Sequence, residues 1–287
     1  MNKITKLIIP AAGLGTRLLP ASKAMPKEMI PVLDKPTLHY IIEEAVKSGI
    51  EEVFLITNSY KRSIEDHFDR SYELEDTLLK RGKLKELEIV QNISKMVKIY
   101  YVRQDEPKGN AYAISLSKTF IKEDEHFALM FGDDILYSDK KPVLAQAIDI
   151  YREKKCNIIS VFPVEKKLVS KFGIVEVEEN TLKILDVVEK PKIEEAKSNL
   201  ISTGPYILSS NIFNSIDKIK PGNSGELQIT DAMKDLMKIE DFYANKFDGK
   251  FYSTGDKLGL MIANIDFALR DEEISDKIKE YIRNLNL

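Results

Sequence analysis

Little in this chain serves thiol or imidazole chemistry. Its 287 residues include one cysteine, Cys156, which excludes a disulfide framework and a cysteine-based zinc site and reads as a core residue. There are three histidines, His39, His67 and His126, and none sits in a motif. That argues against histidine acid–base or nucleophilic catalysis. Basic residues are not in excess: 43 Lys and Arg against 46 Asp and Glu leave a formal charge of −3, so nucleic acid is not the expected partner. No apolar run approaches the roughly 18 residues of a membrane-spanning helix. The opening MNKITKLIIPAAGLGTR lacks the long apolar stretch of a signal peptide. The expectation is a cytoplasmic protein with no membrane partner.

What is present is ordinary for a globular chain, with 43% hydrophobic and 31% charged residues. At about 150 residues per domain the length allows one or two domains. Short β-branched apolar runs at 7–10, 53–57, 97–102, 127–131 and 157–164 read as strands. Between them, 37–47 places Leu38, Ile41, Ile42, Ala45 and Val46 on one helical stripe. The segment 142–154 repeats the pattern with Val143, Leu144, Ala147, Ile148 and Tyr151. Strand alternating with helix predicts an α/β fold: a Rossmann-like, mostly parallel sheet with helices on both faces. After about residue 157 the rhythm changes. Runs at 172–177, 182–188 and 199–208 have short connections and predict an added antiparallel region. Helical spacing returns at 224–238 and 257–270, and 272–286 reads as a charged amphipathic helix. The segment 61–95 is unusually charged and reads as a solvated helical excursion, with an interaction arm as the alternative. No repeat and no Gly/Ser linker divides the chain, so 1–287 reads as one unit.

Three motifs carry chemistry. The first strand runs into Ala11-Ala12-Gly13-Leu14-Gly15-Thr16-Arg17, and Lys27 follows in Met25-Pro26-Lys27-Glu28. A glycine-rich loop at the carboxyl end of a first parallel strand sits where such sheets bind ligands. Small residues there let backbone N–H groups reach phosphate oxygens. The bland reading is a tight turn, but a plain turn does not call for Arg17 and Lys27. A dinucleotide fingerprint needs a third glycine where Leu18 stands, and Gly15-Thr16-Arg17 is not a Walker A sequence. The second motif is Gly132-Asp133-Asp134 after an apolar run. Carboxylates there suit Mg2+, which takes one or two of them and completes its shell with water and phosphate. Strand alternation sends the two side chains to opposite faces, and Asp133 is the expected ligand; capping of the following turn is the alternative. The third is Glu189-Lys190 before Pro191, which taken alone is a surface ion pair of little worth.

Together these pieces resemble the bacterial UTP–glucose-1-phosphate uridylyltransferase family of sugar-phosphate nucleotidyltransferases. The resemblance runs through AAGLGTRLLPASKAMPKEMIPVLDKP (11–36), SIEDHFDRSYELE (63–75), VRQDEPKG (102–109), FGDDI (131–135), VEKPKIEEAKSNL (188–200), GELQITDAM (225–233) and TGDKLG (254–259). SIEDHFDRSYELE is similar to the uridylyltransferase branch and accounts for the charged excursion as a family insertion. The resemblance implies a GT-A-like nucleotidyltransferase domain. Its nucleotide-binding half would span about 1–156, its sugar-binding half about 157–256, and its C-terminal helices about 257–287. It implies that Ala11, Ala12, Gly13 and Gly15 hold the nucleotide and that Gln104 and Gly109 read the uracil edge. Arg17 and Lys27 would bind the triphosphate, and Asp133 would bind Mg2+. Gly173 and Glu189 would hold sugar hydroxyls, and Lys190 the sugar phosphate. The catalytic set would be Arg17, Lys27, Asp133 and Lys190, and the partners UTP, glucose 1-phosphate, UDP-glucose and further copies of the chain in a dimer or tetramer.

Two departures stand out. Where the family usually reads Lys-Gly-Leu-Gly-His-Ala, this chain has Lys108-Gly109-Asn110-Ala111-Tyr112-Ala113. Where relatives place an Asp before Thr254-Gly255, able in the wider superfamily to be a second metal ligand, this chain has Ser253. The implied reaction needs no histidine. A phosphate monoester is mostly ionised at pH 7, its second pKa being about 6. The barrier is the approach of one anion to another, so catalysis rests on positioning and charge neutralisation. The alternatives are a non-catalytic or altered-specificity paralogue that binds a nucleotide sugar, and a dinucleotide oxidoreductase, which the missing glycine and Lys27 disfavour.

Overall fold

The computed structural model describes residues 3–222 and 225–285. In chain order the first half holds β1 (Lys6–Pro10), β2 (Pro31–Val32), β3 (Lys35–Pro36), α1 (Thr37–Lys47), β4 (Glu52–Thr57), α2 (Arg62–Phe68), α3 (Tyr72–Lys80), α4 (Leu84–Ile93), β5 (Lys98–Arg103), α5 (Asn110–Ser115), β6 (His126–Leu129), β7 (Asp134–Tyr137) and α6 (Val143–Lys154). The second holds β8 (Asn157–Pro163), β9 (Gly173–Val177), β10 (Ile184–Glu189), β11 (Leu200–Ser209), α7 (Ile212–Ile216), α8 (Ile229–Leu236), β12 (Phe242–Lys246), β13 (Lys250–Ser253), α9 (Lys257–Ala268) and α10 (Ser275–Arg283).

The alternation of apolar residues in β1 and β4 decides which face each one buries. Leu7, Ile9, Val53 and Leu55 pack with Leu38, Ile41 and Ile42 of α1 and Val143, Leu144 and Ile148 of α6. Ile8, Phe54 and Ile56 point the other way, against Ile114 of α5 and Ile229, Met233 and Leu236 of α8. Truncating one such side chain to Ala costs about 2–5 kcal/mol. α1 stops where Ser48 turns its hydroxyl onto the Glu44 carbonyl and Gly49 takes a φ of 90°. The sheet runs β10-β9-β11-β6-β1-β4-β5, with β8 beside β11 and β12 beside β8. β6, β1, β4 and β5 are parallel neighbours. β11 is antiparallel to β6, β8 and β9, and β9 to β10. The α/β class, the parallel half and the antiparallel addition all agree with the sequence reading.

Several boundaries differ for physical reasons. The strand expected over 127–131 ends at Leu129, because the chain leaves the sheet after Met130 donates to the Ile8 carbonyl. Asp133 and Asp134 therefore do not alternate along that strand; Asp133 lies in a turn and Asp134 opens β7. Of the helix expected over 224–238, only Ile229–Leu236 is helical. Leu227 instead gives its N–H to the Lys108 carbonyl and its carbonyl to Ala111 N–H, so its backbone serves another loop. Ser224 and Asn286, at the edges of two expected helices, lie outside the described residues. Cys156 is half-buried rather than fully within the core. The charged excursion is helical, as α2, α3 and α4. α2 buries Ile64 and Phe68. α3 and α4 form an outlying pair, tied down where buried Glu75 accepts from Arg70 Nη2 at 2.6 Å and Gln91 Nε2 at 3.1 Å.

Candidate active site

Parallel strands deliver the loops of the site to one edge of the sheet. After β1 the chain turns through Gly15, whose φ of 67° is a left-handed conformation that glycine adopts freely. A Cβ at Gly15 would press at 3.1 Å on the Lys27 Cβ, so the loop lies directly along the Lys27 stem. Ser22 closes the turn by donating to the Gly15 carbonyl at 2.7 Å. Asn58, after β4, donates to the Ala12 carbonyl at 2.7 Å and ties the loop to its neighbour strand.

Lys27 lies in a short 3-10 turn, Lys27–Met29. Its Nζ meets Asp133 Oδ2 at 2.5 Å. Burial would depress the Lys27 amine, but Asp133 and Glu28 more than offset it and raise its pKa. Burial would likewise raise the Asp133 carboxyl, yet Lys27, with Arg17 and Lys61 behind it, holds it below its ordinary value. Asp134 is pushed up to about 8, by burial and by the charge of Asp133 beside it. Asp133 therefore carries the negative charge of the pair at neutral pH. Gly255 completes the cluster. A methyl there would collide with Asp133 Oδ2 and stand 3.0 Å from Arg17 Nη2, so this glycine is what lets Arg17 approach the Lys27–Asp133 pair. Thr254 fixes the Asp133 turn by donating its N–H at 2.9 Å and its hydroxyl at 2.8 Å to the Asp133 carbonyl. Ser253 lies directly opposite Asp134 between β13 and β7, and its hydroxyl helps to hold that carboxyl down. Asp256, three residues on, caps α9 by accepting from Gly259 N–H at 3.0 Å.

Gln104 and Gly109 flank an exposed loop after β5. Gln104 N–H donates to the Thr57 carbonyl at 2.8 Å, while its side-chain amide donates to the Glu106 carbonyl at 2.6 Å. Gly109 has a φ of 107°, and a Cβ there would strike the Leu227 backbone. Tyr112 donates to Asp105 Oδ1 at 2.5 Å, bracing this loop from α5.

Gly173 of β9, Glu189 at the end of β10 and Lys190 just after it form a second cluster. Glu189 Oε2 accepts from Thr230 at 3.1 Å and lies 3.4 Å from the position a Gly173 Cβ would take. Lys190 pairs with Glu189 at 3.2 Å and is exposed rather than joined to Lys27. The hydroxyl of buried Tyr206 shares a hydrogen bond with Ser202 at 2.8 Å; burial raises its phenol pKa, and the charges of Asp134 and Glu189 add to the rise.

The donor set at Asp133 fits a hard cation shared with phosphate. It offers carboxylate oxygen, and among the described residues no group of three or more His, Cys, Asp or Glu forms a dedicated cage. Mg2+ generally takes one or two carboxylates and completes its shell with substrate phosphate and water.

Residues that hydropathy assigns to the surface were missed by the sequence reading. Glu28 is 1% exposed and Lys61 4%, and they face each other at 2.7 and 2.9 Å. Gly255, Thr254 and Thr230 were quoted within motifs but given no role.

The nucleotidyl transferase family model matches residues 6–266. The UTP–glucose-1-phosphate uridylyltransferase 2 of Staphylococcus saprophyticus is 44% identical over the whole of both chains. The UTP–glucose-1-phosphate uridylyltransferase of Bacillus subtilis is 43% identical, over 99% of this chain and 98% of its own. Among solved structures, a UTP-bound UDP-glucose pyrophosphorylase from Acinetobacter baumannii superposes with a TM-score of 0.87 at 33% identity, covering 99% of this chain and 100% of that one. A UDP-glucose pyrophosphorylase complexed with UDP-glucose gives 0.84 at 38% identity, covering 94% and 100%.

Proposed function

The chain belongs to the nucleotidyl transferase family, and from that premise we propose that it is a UTP–glucose-1-phosphate uridylyltransferase, making UDP-glucose and pyrophosphate from UTP and glucose 1-phosphate. The observation that carries the reading is the convergence of Arg17, Lys27 and Asp133 around Gly255 at the loop end of β1 and β6. A phosphate oxygen of glucose 1-phosphate attacks the α-phosphorus of UTP. The new P–O bond forms as the bond to the β-phosphate oxygen breaks, and pyrophosphate leaves. Backbone N–H groups of the Ala11–Gly15 loop hold the phosphates, and Arg17 and Lys27 neutralise them. Gln104 and Gly109 border the uracil. Gly173 and Glu189 hold the sugar, and Lys190 its phosphate. Asp133 would hold Mg2+, whose charge would screen the phosphate oxygens. The Lys27 ammonium has three N–H donors, so it can meet phosphate as well as Asp133.

The same proposal includes self-association and a cytoplasmic setting. α9 leaves Leu258, Met261, Ile262 and Ile265 exposed at i, i+3, i+4 and i+7, an apolar stripe suited to a second copy of the chain in a dimer or tetramer. Both substrates are charged phosphates that do not cross membranes unaided. The test is pyrophosphate release with Mg2+, UTP or another nucleoside triphosphate, and a panel of sugar 1-phosphates. UTP with glucose 1-phosphate should be the fastest pair. Release with no pair, or faster release with thymidine triphosphate, overturns the assignment.

A further inference from the structure

Beside the Lys27–Asp133 pair lies a second pair that the proposed reaction does not use. Glu28 follows Lys27 in the same 3-10 turn, yet its side chain turns inward. Lys61 Nζ donates to both of its carboxylate oxygens, at 2.9 and 2.7 Å, and both side chains are almost wholly out of contact with solvent. The Glu28 stem also packs beneath the turn that carries Asp133: a Cβ on Gly132 would stand 3.0 Å from Glu28 Cγ. Lys61 in turn is placed by the turn at 58–61, where its N–H donates to the Asn58 carbonyl at 3.2 Å. The same Asn58 holds the Ala12 carbonyl of the glycine-rich loop. One buried pair thus touches the Lys27 turn, the Asp133 turn and the anchor of the phosphate loop.

Stability alone does not call for such a pair. The desolvation of two charges offsets their attraction, and an apolar pair of similar volume serves a core as well or better. The arrangement has a consequence for Lys27 instead. An unneutralised Glu28 carboxylate would be an anion one residue away, competing with phosphate for the Lys27 amine. Resting on the function proposed above, we propose that Glu28 and Lys61 are positioning residues for nucleotidyl transfer. Glu28 fixes the spacing of the Lys27 and Gly132–Asp133 turns, and Lys61 keeps the Glu28 carboxylate from capturing Lys27.

The test compares wild-type protein with Lys61→Gln, Lys61→Arg and the double variant Glu28→Met/Lys61→Met, reading kcat, both KM values and the unfolding midpoint. The double variant should unfold within about 5 °C of wild type but lose about tenfold or more in kcat, because misplacing one catalytic group is enough for that. Its KM for glucose 1-phosphate should stay within about threefold, since the sugar cluster is elsewhere. Lys61→Gln should lose kcat similarly, and Lys61→Arg, which keeps the charge, should recover most of it. A purely structural pair predicts that kcat follows the unfolding midpoint. Wild-type kcat in a folded double variant, or in Lys61→Gln, overturns the proposal while the enzyme assignment stands. Wild-type protein that releases no pyrophosphate from UTP and glucose 1-phosphate overturns the assignment and this proposal with it.

Discussion

Asp133 and Asp134 are neighbours in sequence with different environments. Asp133 faces Lys27 and keeps its charge, whereas Asp134 is buried against that charge and held near a pKa of 8. Asp133→Asn should therefore lower kcat by about 10²-fold or more at saturating UTP, with the far-ultraviolet spectrum unchanged. Asp134→Asn should cost much less. The reverse order would place the phosphate-side carboxylate on β7 and sink the assignment of Asp133. Ser253 adds a second test. It stands opposite Asp134 across the β13–β7 pair, so Ser253→Asp sets a third carboxylate beside the two already there. It adds a partly buried negative charge to a cluster that already holds ionised Asp133, and like charges repel. The variant should melt lower than wild type without divalent cation and regain more of that loss when Mg2+ is added. Its Mg2+ concentration for half-maximal activity should fall. An unchanged half-saturation point would mean that the position has no bearing on metal use. Arg17, Lys27 and Asp133, which the fold brings together, were legible as candidates because their motifs are short and local. Glu28 and Lys61 were not, because a charged residue reads as surface until its partner, 33 positions away, is seen.

At the scale of elements, the strands and helices with regular apolar spacing were legible and the polar or short ones were not. α1 matches its expected bounds because five apolar residues share one stripe. β12 was missed: its sequence FYANK buries Asn245, whose amide donates to Ser160 Oγ at 3.0 Å, so a core position wears a polar residue. β7 and β13 hold four residues each and exist by pairing with one another, which no local pattern records. The contact between α1 and α2 depends on a histidine pair, His39 Nδ1 and His67 Nε2 at 3.0 Å, with Phe68 against both rings. Burial and the neighbouring His39 push His67 down to about 4. Its folded pKa is below its unfolded value of about 6.5, so the neutral form is favoured in the fold. That stability is present above pH 6.5 and is lost as pH falls toward 4. The unfolding midpoint of wild type should thus drop between pH 7 and pH 4.5 by about 1–3 °C more than that of His67→Gln, which has nothing to protonate. Parallel pH profiles for the two proteins would show that this pair does not link α2 to the core in a pH-sensitive way.

Across the molecule, one strand belongs to both halves. Along one edge β11 pairs with β8 through Leu200–Ser202 and again through Tyr206 and Ile207; along the other it pairs through Ile201 with β9 and through Tyr206–Ser209 with β6 of the parallel half. Its register against β8 shifts between Ser202 and Tyr206, and over the same stretch its other edge passes from β9 to β6 without the strand leaving the sheet. The antiparallel runs were visible in sequence, but this sharing was not, because it is a property of register over distant segments. Loop contacts reinforce it: Leu227 of the second half exchanges backbone hydrogen bonds with Lys108 and Ala111 of the first, and Asn110 Oδ1 accepts from Ile229 N–H at 2.7 Å. Neither half retains a complete sheet if the other unfolds. The chain should accordingly melt as one unit, in contrast to two domains joined by a linker. Scanning calorimetry should give a single peak whose calorimetric and van't Hoff enthalpies agree. UTP with Mg2+ should move that whole peak upward by mass action, because a ligand that binds the folded chain stabilises everything that unfolds with it. Two peaks, with UTP shifting one of them alone, would show that the halves unfold independently and that the shared strand is not enough to couple them.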